Sequence, residues 1–382
     1  MTFKRDYKSF DFVLAALVLA LLVFGVIMVG SAAYNNSEPL TRLFKMHIVW
    51  AATGFVIMLV VAFVDFEFIC KFYLVFYGLT IALLLLTKLF GTETNSATRW
   101  LYLSDLGIRG TEVGIQPSEF TKIFMIIYMA KFIDKFRERM NNILVLALLV
   151  ALAGVPIVMI AMQPSLSAAL ATGMILIIVL FTAKVSWKYI LAAFLVLVPA
   201  LLFLYYDLNN EPQIFLHRIM SDLQQNRIRV FLDPSLDPDV WFQSQRSIDA
   251  IRSGQLTGRG LFNNIVAVPY ATNDFIFAVI GAELGFVGCV GVIVALFLVV
   301  IRCFRIAHHS EVYIGRILAA ATGGMIALQT FLHICVTTGT MPNTGITLPF
   351  ISSGGSSIWI MTAAVGLVLS VNMTRPKSMF ED

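Results

Sequence analysis

Runs of about twenty apolar residues recur along the whole chain, most of them separated by short polar loops. Each is long enough to carry a helix across about 30 Å of hydrocarbon at 1.5 Å per residue. A bilayer offers no water to free backbone groups, so a spanning segment must satisfy its own hydrogen bonds. Unbroken runs of this length read as helices rather than as the alternating ten-residue strands of a barrel. The expected spans are 11–33, 44–64, 68–90, 118–134, 142–162, 165–183, 187–206, 274–302, 312–338 and 350–372. Only 13% of the residues are charged and 59% are hydrophobic, which excludes a soluble globular domain. The expected fold is therefore an all-α polytopic membrane protein of about ten transmembrane helices. It forms one membrane domain, 1–382, with a large structured extracellular loop, 207–273, between helices 7 and 8.

Lys4, Arg5 and Lys8 precede the first run, which resembles a signal peptide but offers no persuasive cleavage site and is expected to be retained. If the N-terminus is cytoplasmic, an even helix count returns the C-terminus to the same side. The inner segments then collect fifteen lysines and arginines against about five in the short outer loops, which favours that orientation. The long island follows a different logic, because loops of its length translocate regardless of charge. Its basic residues are all arginine, including Arg227, Arg246, Arg252 and Arg259. Rigid guanidinium forks of this kind suit phosphate and carboxylate recognition. Within the island, 226–232 and 243–253 read as short helices separated by a turn at Asp233–Pro238, and Gly254 ends the second.

Four stretches could carry chemistry. NSATRW (Asn95–Trp100), which contains Arg99, leads to QPSEFTK (Gln116–Lys122), where Glu119 and Lys122 share a helix face. A bland reading is a helix start with Pro117 in the first turn and Glu119 favoured by the dipole. The island holds RIRVFLDPSLDP (Arg227–Pro238) and then a Gln- and Ser-rich stretch with Gln243, Arg246, Ser247 and Arg252. These residues also fit a solvated outer surface. In NDFIFAVIGAELGF (Asn273–Phe286), Asp274 is either a functional carboxylate at the water–lipid boundary or the cap of the next helix. Glu283, two to three turns deeper, is an expensive intramembrane acid that needs a partner. Finally, MPNTGITLPFISSGGSS (Met341–Ser357), with Ser356 near its end, is expected to be a broken segment at the head of the last helix. Irregular backbone there must be covered by protein or line a wet cavity.

The cysteines at 70, 289, 303 and 335 and the five histidines show no metal-type spacing. No internal repeat of the kind common in secondary transporters is apparent.

Taken together, and in order along nearly the whole chain, these stretches resemble the SEDS family of bacterial membrane proteins (RodA, FtsW, SpoVE). The resemblance implies a peptidoglycan glycosyltransferase that polymerises lipid II in the bacterial cytoplasmic membrane, alongside a class B penicillin-binding protein, with no nucleic-acid partner. By motif position it implies that Asp274 is the catalytic aspartate and that Glu119 and Lys122 are the functional charged pair. Arg99, Arg246, Arg252, Gln243, Ser247 and Ser356 fall within the same motifs as candidate substrate-binding residues. A divalent cation on the diphosphate is chemically reasonable, though no ligand set is evident. Several positions depart from the family pattern: Tyr270, Asn273, Ala282, Ser165 and Ser353 replace glutamate, threonine, glutamate, aspartate and tyrosine. Two other readings of the same residues stay open at this point, a flippase for lipid-linked precursors and a non-catalytic scaffold for the cross-linking partner.

Overall fold

A computed structural model of the chain describes residues 3–34, 41–94, 97–102, 114–163, 165–209, 220–263 and 266–376. It is a bundle of apolar helices, and each of the ten expected spans coincides with one. They are α1 (Phe12–Ala32), α2 (Arg42–Phe63), the bent pair α3 (Phe66–Lys71) and α4 (Tyr73–Phe90), α5 (Pro117–Lys135), α6 (Ile143–Ala161), α7 (Leu166–Thr182) and α8 (Trp187–Asn209). After the island come α11 (Ile276–His309), α12 (Tyr313–Thr337) and α13 (Gly355–Asn372). Seven of these, namely α1, α2, α4, α6, α11, α12 and α13, are long and apolar enough to cross a membrane. The chain is an integral membrane protein. Local chemistry sets several helix starts: Asp11 Oδ1 accepts from the Leu14 N–H at 2.9 Å, Thr41 Oγ1 from the Phe44 N–H at 3.3 Å, and Pro117 occupies the first turn of α5.

The core sits around α12 and α13, whose side chains are mostly buried, whereas α1, α2, α4 and α6 turn large aliphatic side chains outward. α13 packs along α2, and α12 along α11 and α7. Five short strands lie among the described residues. β1 (Phe3–Arg5) pairs antiparallel with β5 (Thr374–Pro376), bringing the chain's two end segments together at one end of the bundle. β2 (Thr92–Thr94), β3 (Ala97–Tyr102) and β4 (Gly114–Ile115) form a small antiparallel sheet at the opposite end, between α4 and α5.

Within the described part of the island, both expected helices form. α9 (Asp222–Leu232) and α10 (Pro238–Gly254) flank the expected turn, each extending a few residues beyond the reading from sequence. Asn226 donates its side-chain amide to Asp237 Oδ2 at 2.8 Å, and the Val240 N–H donates to Oδ1 at 3.3 Å. In that order, these bonds hold the Asp237 carboxyl below the ordinary carboxylate range. α10 lays Ser244, Ser247, Ala250 and Gly254 against the bundle.

One expectation needs correction. The span at 274–302 is not a continuous helix: α11 is interrupted at Gly285, where φ is +65° and ψ −162°. The loop that follows α10 enters this break. There the Arg259 and Gly260 N–H groups donate to the carbonyls of Ala282 and Glu283, and the Phe286 and Val287 N–H groups to those of Gln255 and Leu256, all at 2.9–3.1 Å. A helix interrupted at membrane depth must satisfy its freed groups within the protein, and these four bonds do so.

Candidate active site

Asp274 lies in the turn at 271–275, just ahead of α11, and is half-buried. The turn is fastened to the irregular segment that leads into α13. Ser352 Oγ donates to the Asn273 carbonyl at 2.7 Å while accepting from the Leu348 N–H at 2.7 Å, and the Ser353 N–H donates to the Thr272 carbonyl at 2.8 Å. Carbonyls on both residues before Asp274 are thus clamped by consecutive serines. The carboxylate rests against Gly345, where a Cβ would stand 3.2 Å from Asp274 Oδ2 and where φ is +70°. Glycine serves there twice, by accepting the left-handed backbone and by leaving room for the acid.

The segment is itself anchored from below. His333 on α12 places Nδ1 at 2.7 Å from the Ile346 carbonyl, so Nδ1 carries the proton and donates. One turn earlier on the same face, Gln329 Oε1 accepts from Lys122 Nζ at 3.2 Å, and Lys122 pairs with Glu119 at 2.7 Å. Lys122 is only 2% exposed. One turn later, the Thr337 carbonyl accepts from Ser247 Oγ at 2.7 Å. Gln329, His333 and Thr337, spaced by four, make a polar stripe along α12 that joins the head of α5, the segment under Asp274, and the island. Ser356 Oγ accepts from the Gln116 N–H at 3.1 Å, tying the heads of α5 and α13.

The sequence-predicted residues therefore divide. Glu119 and Lys122 meet as the expected ion pair, but both are buried inside the bundle. Ser247 and Ser356 are also buried, and each spends its hydroxyl on a backbone group of a neighbouring element. They shape the site rather than face a ligand in this conformation. Asn343 donates its amide to Gln243 Oε1 at 2.8 Å, joining α10 to the segment under Asp274. Arg246 and Arg252 are exposed on α10, the first 5.0 Å over the Phe242 ring and the second 3.8 Å from Asp249. The backbone of Arg99 lies in β3, and its side chain is outside the described residues. Asn95 and Ser96 of the same motif also lie outside them. Gln329, His333, Gly345 and Ser352 were not singled out from sequence. The first two reach partners 207 and 13 residues away through a fold that no local pattern announces.

Glu283 finds the partner its position demands. It is fully buried, and Ser31 on α1 donates to its Oε1 at 2.6 Å while accepting from the Phe262 N–H at 2.8 Å. Among the described residues, no three His, Cys, Asp or Glu side chains gather as a metal site.

The arrangement presents the half-buried Asp274 carboxylate on a doubly clamped turn, at the end of the bundle that also holds the buried Glu119–Lys122 pair. An acid so positioned can take a proton from a hydroxyl brought against it. The family of cell cycle proteins FtsW, RodA and SpoVE matches residues 12–377 of the chain. A probable peptidoglycan glycosyltransferase FtsW from Trichlorobacter lovleyi is 32% identical, covering 95% of this chain and 93% of its own length. The peptidoglycan glycosyltransferase MrdB of Escherichia coli is 30% identical over 97% of this chain and 95% of its own. A chain from a solved peptidoglycan synthase complex, in which polymerization and crosslinking are coordinated, superposes with a TM-score of 0.78 at 26% identity, covering 95% of this chain and 97% of its own. With one family spanning nearly all of it and relatives this similar along their full lengths, the chain belongs to the FtsW/RodA/SpoVE family.

Proposed function

We propose that this chain is a peptidoglycan glycosyltransferase that polymerises lipid II at the outer face of the bacterial cytoplasmic membrane, with Asp274 as general base. The acceptor's sugar hydroxyl gives its proton to Asp274 as its oxygen attacks the donor's anomeric carbon, and the donor's diphosphate leaves. An α-linked donor and a β-linked product require one inverting displacement, so a single carboxylate suffices. Base catalysis of this kind contributes about 10²–10⁴-fold, and the remainder comes from positioning and from charge stabilisation of the departing diphosphate. Arg246 and Arg252, exposed on α10, are available to that diphosphate. Glu119 and Lys122 act from inside the bundle, holding the head of α5 against the C-terminal half of α12. Both termini are cytoplasmic in this reading, and a class B penicillin-binding protein cross-links the product.

The observation that carries the proposal is the seating of the Asp274 carboxylate against Gly345 on a turn clamped by Ser352 and Ser353. A rigidly presented, half-exposed acid is what a base needs and more than a helix cap requires. The test supplies purified protein, with its cross-linking partner where needed, with labelled lipid II in detergent and resolves the glycan chains by gel. Wild type should form polymer, and Asp274→Ala should fall by at least the 10²-fold expected of a lost base. Polymer at the wild-type rate from the variant would remove Asp274 from the mechanism. A flippase makes no product in detergent, where no second compartment exists.

A further inference from the structure

At the end of the bundle where β1 and β5 pair, a cleft of about 440 Å³ opens between the start of α1, the end of α11 and the end of α13. It plays no part in the chemistry proposed above. Phe12 and Val13 from α1, Arg302, Arg305 and His309 from α11, and Asn372 from α13 form its working surface. Asp11 is its one acid, and that acid is already neutralised: Arg302 approaches Asp11 Oδ2 with Nη2 at 2.6 Å and Nε at 2.9 Å, while Oδ1 caps α1. Arg305 is exposed, and its guanidinium has no acidic partner among the described residues. The cleft therefore presents net positive charge with donors to spare.

Its apolar side is equally specific. Phe12 and Val13, which line the cleft, are 72% and 54% exposed. Arg302 and Arg305 lie sixteen and nineteen residues beyond Phe286, where the unbroken part of α11 begins. At 1.5 Å per residue that is about 24–29 Å, close to the full depth of the hydrocarbon. Because the break at Gly285 already lies at membrane depth, this run brings the guanidinium groups to the opposite boundary of the hydrocarbon, with the exposed Phe12 and Val13 beside them.

We propose that this cleft binds the phosphodiester headgroup of an anionic phospholipid, with its acyl chains running along Phe12 and Val13. A free phosphate would use the arginines but leave the apolar lip uncovered, so the lipid is the better fit. Basic pockets between helices on the cytoplasmic side recognise anionic headgroups in this way. The assignment does not depend on the activity proposed for Asp274. Only the naming of the leaflet rests on both termini being cytoplasmic.

The experiment is native mass spectrometry of the full chain in detergent, titrated with phosphatidylglycerol or with phosphatidylcholine of the same acyl chains. Wild type should retain phosphatidylglycerol preferentially. Arg305→Ala should weaken that preference about fivefold, the factor expected of one juxtamembrane arginine. Arg139→Ala, which removes an exposed arginine from a different loop, should leave it unchanged. Among the described residues the Arg305 side chain makes no hydrogen bond or ion pair, and an unaltered elution profile would confirm that the variant is intact. Equal retention of the two lipids by wild type, or equal losses in the two variants, would overturn the site in favour of diffuse surface charge. Displacement of phosphatidylglycerol by an equal concentration of glycerol phosphate would overturn the lipid as its occupant.

Discussion

At the residue scale, the pair Glu119–Lys122 shows how a buried charge constrains a membrane bundle. Lys122 Nζ has two acceptors, Glu119 and Gln329, and almost no contact with solvent. Removing one partner of such a pair costs about 3–5 kcal/mol, because the other is left as an uncompensated buried ion. Replacing both by apolar groups of similar volume is often close to neutral. Glu119→Ala should therefore lower the temperature at which the detergent-solubilised protein aggregates much more than the double variant Glu119→Met with Lys122→Met. Equal effects would mean that the pair's environment is wetter than its burial indicates. If the pair also sets the register of α5 against α12, the double variant should fold yet polymerise lipid II poorly, which separates stability from positioning.

At the element scale, the break in α11 is a fitted joint. Gly258, with φ +81°, and Gly285, with φ +65°, face each other so closely that a Cβ on Gly285 would lie 2.3 Å from the Gly258 nitrogen. Gly285→Ala combines a left-handed backbone at a non-glycine residue, worth about 1–3 kcal/mol, with a clash against backbone that cannot move aside. It should lower the aggregation temperature sharply and reduce glycan synthesis, since the Asp274 turn leads directly into the short arm of the broken helix. Gly291→Ala, six residues on, meets nothing within 4 Å and is the control, with neither readout expected to move. This joint also marks the limit of what the chain discloses before folding. Hydrophobic runs located the apolar helices of the bundle, because burial and span length are written in residue type. The spacing of Glu119 and Lys122 anticipated their contact, since neighbours on one helix face need no tertiary knowledge. The break at Gly285 was invisible, because a glycine within an apolar run does not declare its φ. The stripe Gln329, His333, Thr337 was overlooked because its partners come from three other elements, and Ser247 and Ser356 were read as substrate contacts because sequence does not distinguish a hydroxyl facing water from one facing a carbonyl.

At the scale of the whole molecule, the bundle separates the proposed reaction from its closure. One end carries the Asp274 turn, the segment at 345–353 and the island. At the other, Arg5 donates from Nη1 to the Phe63 carbonyl at 2.6 Å and from Nη2 to the Ala62 carbonyl at 2.7 Å, covering the last carbonyls of α2. Ser370 on α13 accepts from the Phe66 N–H at 3.1 Å and donates to the Val64 carbonyl at 2.6 Å, so the chain's end segments lock α2 and α13 together. Hydrogen bonds from a charged donor contribute about 1.5–3 kcal/mol. Arg5→Ala should accordingly lower the aggregation temperature by a few degrees, yet leave the rate of polymerisation per intact molecule unchanged at temperatures well below it. Asp274→Ala should do the reverse. Sites at opposite ends of a bundle share no partners, so the two effects should add in the double variant. A slower reaction from intact Arg5→Ala protein would show instead that strain at the closing end reaches the clamped turn, and that the α2–α13 pair transmits it.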